Sequence, residues 1–145
     1  MSSAAAIVAC ALAVLGESER TMPRIALVDV PPIGTSAQVE AYVRQSDRTI
    51  YLVTSSQVFR DAMRAREECG DRLSVRKLAS ILAHEEWHIK NGPDEKGAYQ
   101  AQLTTLIRIG VQPGSGLYAS VVRSMQVVLK RQRYDRPDIV VADNR

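Results

Sequence analysis

The chain has 145 residues, 46% of them hydrophobic and 24% charged, which is enough for one ordinary core and too little for two domains. No internal repeat or low-complexity tract interrupts it, which excludes fibrous, solenoid and disordered classes. A net charge of +3 comes largely from Lys130, Arg131, Arg133 and Arg136. With only Tyr134 as an aromatic neighbour and no zinc-finger or RNA-recognition signature, that cluster reads as the solvated end of a helix, and nucleic acid is not expected as a partner.

Residues 4–15, AAAIVACALAVL, form an apolar run as long as the hydrophobic part of a signal peptide, and Ala11-Leu12-Ala13 is a passable cleavage site. No Lys or Arg precedes the run. It is also too short to span a bilayer, so no membrane span is expected. Residues 1–16 are therefore read as an atypical export signal or an apolar first helix, with export preferred, and residues 17–145 as the single domain. Arg24 to Val30 has the β-branched content of a strand closed by Pro31-Pro32. The runs Ala37 to Arg44 and Thr49 to Thr54 flank a polar turn at 45–48 and predict a hairpin. Val39, Ala41 and Val43 alternate as a half-buried strand would.

From Ser56 the period becomes helical, with Val58, Phe59, Ala62, Met63 and Ala65 leading to a stop at Cys69-Gly70. Ser74 suits the N-cap of a second helix that ends at Asn91-Gly92-Pro93. A third helix begins at Asp94 and reaches Gly110, and a fourth covers about Leu117 to Arg133. Strands first and helices after predict an α+β fold, with a small N-terminal sheet followed by helices. Cys10 and Cys69 fit either one disulfide or two free thiols.

The second helix carries His84-Glu85-Glu86-Trp87-His88. Positions i and i+4 on a helix share one face, so both imidazoles can bind one metal ion, while Glu85 sits beside them free to act as a general base on a water activated there. Two histidines fall four residues apart by chance in roughly one such chain in seventy, and a glutamate after the first makes the pattern rarer still. A catalytic zinc site needs a third protein ligand. Glu95 is the best candidate, because the break at 91–93 lets the chain reverse, and Asp94 is the alternative. Glu95, Tyr99 and Gln102 recur at i, i+4 and i+7 as a polar stripe, so Tyr99 can donate to a developing oxyanion and Gln102 can orient a ligand. Glu86 is expected to be exposed and Trp87 to pack at the surface or a cleft wall.

HEEWH at 84–88 and DEKGAYQAQL at 94–103 resemble the zincin metallopeptidases, in particular small bacterial members with a glutamate as third ligand. The resemblance implies a zincin-like α+β fold, a zinc ion held by His84, His88 and Glu95, Glu85 as catalytic base, and a peptide or protein substrate lying along an edge strand at Thr49 to Thr54. A third-histidine variant is excluded, because the chain has two histidines. The rival expectations are a zinc hydrolase of a non-peptide substrate and an inactive zincin-like module that binds a partner.

Overall fold

The computed structural model describes residues 3–35, 38–64, 69, 72–132 and 140–143. The apolar start is helix α1 (Ala4–Leu15), opened by Ser3, whose side chain accepts from the Ala6 amide, and closed by Gly16 in the left-handed conformation at φ 73°. Its Ile7, Val8, Ala11, Leu12 and Leu15 form one helical stripe buried in the main core. Cys10 is disulfide-bonded to Cys69, so the two thiols are paired.

Strands β1 (Arg24–Val28), β2 (Val39–Arg44), β3 (Thr49–Val53) and β4 (Val140–Asp143) form one mixed sheet in the order β1-β3-β2-β4. β2 and β3 are the expected antiparallel hairpin, β1 lies parallel to β3, and β4 adds antiparallel to β2. Two expectations are corrected here. The Thr49 to Thr54 segment is not an edge, because β3 lies between β1 and β2. Nor is β2 half-buried: Ala41 and Val43 enter the main core, while Val39 and Tyr42 are covered on the other face in a small cluster with Val53. There Tyr42 stacks on its register partner Tyr51, with ring centroids 4.9 Å apart and planes within 6°.

The helices α2 (Gln57–Arg64), α3 (Arg72–Asn91), α4 (Glu95–Arg108) and α5 (Gly116–Gln132) complete the α+β fold. α2 ends before Cys69, and the predicted stretch between them lies largely outside the described residues. Ser74 is not a cap: α3 begins two residues earlier and Ser74 is buried within it. The chain also opens on a helix and includes a fourth strand, so strands do not simply precede helices. α1, α2 and α3 cover one face of the sheet. α3 and α4 form a helical hairpin, and α5 packs on α4 through Tyr99, Leu106, Val111 and Val121. No helix among the described residues is long and apolar enough to cross a membrane.

The disulfide ties α1 to the start of α3 across 59 residues of sequence. Loop-closure entropy alone makes such a link worth about 4 kcal/mol. Chemical denaturation of Cys10→Ser/Cys69→Ser is expected to show a loss of that order relative to the oxidised wild type.

Candidate metal centre

The site grows from the α3–α4 hairpin. Gly92, at φ 98°, provides the left-handed residue that ends α3, and its amide donates to the His88 carbonyl at 2.8 Å. Two residues on, the Asp94 carboxylate accepts from the amides of Lys96 and Gly97, both at 3.2 Å, and so caps α4. Asp94 is exposed and its oxygens are engaged at the cap, which removes it as the alternative ligand. Gly97 allows the helices to approach closely: a Cβ there would lie 2.2 Å from Trp87 Cζ2. Trp87 thus packs on the α4 backbone.

This hairpin brings His84, His88 and Glu95 together as a buried group that can hold a metal ion. The two Nε2 atoms are 3.2 Å apart, Glu95 Oε1 lies 3.4 Å from that of His84, and it contacts that of His88. Lone pairs this close repel one another unless a positive charge, a proton or a metal ion, sits among them. His84 and His88 are 0% exposed and Glu95 2%, so bulk water does not screen the repulsion.

Hydrogen bonding fixes which ring nitrogens face inward. The Lys77 carbonyl can only accept, so Ser80 Oγ donates to it at 2.7 Å. Ser80 Oγ in turn accepts from Gln102 Nε2 at 3.2 Å, which leaves Gln102 Oε1 to accept from His84 Nδ1 at 2.8 Å. Similarly, His88 Nδ1 donates to the Gly92 carbonyl at 2.8 Å. Both imidazoles are thereby held with Nδ1 protonated and Nε2 aimed at the cluster, the arrangement a metal-binding histidine requires. Gln102→Leu is expected to weaken metal binding about 10–100-fold in competition with a chelating indicator, whereas Gln102→Glu, which keeps the acceptor, loses less.

The Glu95-Tyr99-Gln102 stripe therefore faces the cluster as expected. Tyr99 packs edge-on against His84, with centroids 4.5 Å apart. Within the motif, Glu86 is half-buried rather than exposed and turns to Lys90 at 3.5 Å. Ser80 and the Gly92 carbonyl were not expected from sequence. Ser80 had a signal, a polar residue one turn before His84 on an otherwise apolar face; a backbone carbonyl has none.

Glu85 is 0% exposed. Its Oε1 lies 3.9 Å from His84 Nε2, and neither of its oxygens has a hydrogen-bond partner among the described residues. Burial, and then the negative charge of Glu95, push its carboxyl well above the ordinary carboxylate range. Burial also pushes Glu95 upward, but hydrogen bonds and charge from His84 and His88 outweigh it and hold that carboxyl low. A raised folded pKa means that the unfolded chain ionises Glu85 first, so Glu85's own contribution to the stability of the metal-free protein falls as pH rises above about 4.5. Glu85→Gln has no such proton to lose. Thermal melts of the metal-free proteins are expected to show the variant gaining on wild type, in midpoint temperature, as pH rises from 4.5 to neutrality. Glu95 is present in both proteins and leaves the sign of the difference unchanged.

The chain matches no family model, no curated protein and no solved structure. The functional reading rests on this geometry.

Proposed function

We propose that the protein is a zincin-like zinc peptidase, with His84, His88 and Glu95 as metal ligands and Glu85 as general base. The observation that carries the reading is the spacing of the donor atoms. Zinc–ligand bonds of about 2.0–2.1 Å at tetrahedral angles place ligand atoms roughly 3.3–3.4 Å apart. Of the three donor pairs, the Nε2 pair at 3.2 Å and the His84–Glu95 pair at 3.4 Å fit that spacing, while His88 and Glu95 lie closer than it and would have to separate slightly around an ion. Two nitrogens and a carboxylate oxygen suit zinc, and three protein ligands leave a fourth position open for chemistry.

When bound, zinc supplies a Lewis acid that acidifies water and polarises a carbonyl. Glu85, next to the ligands but not one of them, accepts the proton of the attacking water and delivers it to the leaving amine. With no hydrogen-bond partner among the described residues, both its oxygens are available for that transfer, and its raised pKa brings it nearer the working pH of a general base. Tyr99, whose ring packs edge-on against His84, is the candidate for the oxyanion role. Gln102 positions His84 and does not touch substrate.

The near-complete burial of the ligands favours a second reading, a zincin-like module that keeps the metal for structure and binds a partner. Elemental analysis together with digestion of an unfolded polypeptide separates the two. The peptidase reading expects one zinc per chain and cleavage that stops on chelation and returns with zinc. Stoichiometric zinc without cleavage of any unfolded polypeptide, in a protein whose β2–β4 pairing has been opened, overturns it in favour of the module.

A further inference from the structure

The groups assigned to metal and proton transfer are closed off: His84, Glu85 and His88 are 0% exposed and Glu95 2%. A macromolecular substrate reaches them only if a neighbouring element moves. β2 runs beside α3 in the same direction, since Glu40 at its start pairs with Lys77 at 3.1 Å and Gln45 just past its end donates to the His88 carbonyl at 2.8 Å. β4 occupies the outer edge of β2, with Val140 opposite Val43, Val141 opposite Tyr42, Ala142 opposite Ala41 and Asp143 opposite Val39. It therefore enters the sheet at the His88 end and runs back along β2. β4 also comes alongside α3, the helix that carries both histidines and Glu85.

We propose that the outer edge of β2 is a docking edge for an extended peptide, and that the chain's own Val140–Asp143 strand is its resident occupant, covering the metal centre until another strand displaces it. Pairing at a sheet edge uses main-chain hydrogen bonds that any extended peptide can reproduce. With four residues and a register break between Val39 and Ala41, β4 holds that edge through few ladder bonds, so local opening there is easier than in the core. Calling the incoming strand a substrate rests on the peptidase reading; the docking itself does not.

The test uses the full chain carrying Val141→Pro/Ala142→Pro. Proline has no N–H, and two successive prolines remove a ladder donor whichever of the pair faces β2. The probe is a labelled peptide of residues 137–145, PDIVVADNR, followed by fluorescence anisotropy. The variant is expected to keep its zinc, to bind the peptide at least about tenfold more tightly than wild type, and to cleave an unfolded polypeptide at least about tenfold faster, with the peptide as inhibitor. A zinc-loaded variant that neither binds the peptide nor gains activity overturns the docking edge. Peptide binding without cleavage by either protein keeps the docking edge and discards the peptidase. Equal cleavage by both proteins without peptide binding does the reverse. Against misfolding of the proline variant, Ala41→Cys/Ala142→Cys staples register partners. Peptide binding that the stapled protein lacks when oxidised and gains on reduction, beyond any change in wild type under the same reductant, supports the proposal; no difference overturns it.

Discussion

Glu85→Gln is expected to bind zinc as wild type does and to lose hydrolysis of unfolded polypeptide by about 10²–10⁴-fold, the usual contribution of a positioned general base. The two readouts separate because of where Glu85 sits. It directly follows His84 in sequence, yet the group that could hold a metal ion among the described residues is His84, His88 and Glu95 without it, and its carboxylate is 3.9 Å from His84 Nε2. Glutamine fills the same volume and removes only the exchangeable proton and the charge. The variant is also expected to be the more stable protein without metal at neutral pH, for the reason given above, so a failure to fold would not explain lost activity. Wild-type turnover in a zinc-loaded Glu85→Gln protein would remove the assigned role.

His88→Ala is expected to abolish stoichiometric metal. A residue that only orients a ligand is worth about 10–100-fold in affinity, and deletion of the ligand itself must exceed that. Glu95→Ala is expected to lose affinity by more than about 100-fold on the same reasoning. Asp94→Ala is the internal control: its carboxylate caps α4, so the variant loses about 1 kcal/mol of stability while its metal content is unchanged. Equal zinc in wild type and His88→Ala, by elemental analysis of purified protein, would reduce the cluster to a buried polar network.

The histidine helix was legible because helical periodicity alone places residues 84 and 88 on one face, and Glu95 followed from the reversal at Asn91-Gly92-Pro93. Asp94 and Glu95 differ by one residue, and sequence could not separate them; the structure does, because the Asp94 carboxylate is exposed and accepts the first amides of α4, while Glu95 is buried beside the histidines. The hairpin Val39–Val53 was legible from its turn and its alternation. Its place in the sheet was not, because order depends on which distant strand pairs with it. β4 went unread for the same reason: Val140-Val141-Ala142 is a short apolar run behind a basic stretch, and only its pairing with β2 makes it a strand. For the same reason Thr49 to Thr54 reads as an edge in sequence although β3 lies inside the sheet. Ser74 reads as a cap because serine favours helix N-termini over interiors, yet it lies buried within α3.

The donor set and the groups that orient it, from Lys77 to Gln102, lie in one stretch of chain within a single helical hairpin. Contacts between near neighbours need little loop closure, whereas β2 must find β4 across roughly a hundred residues. The order of assembly follows. During folding the hairpin can bring His84, His88 and Glu95 together before the sheet is complete, so that, if the group holds an ion as proposed, β4 pairs after the ion is in place. On the proposed function, newly made chains would then pass through a form that holds its ion and is still open at β2, with the sheet edge unprotected for as long as the β2–β4 pairing takes.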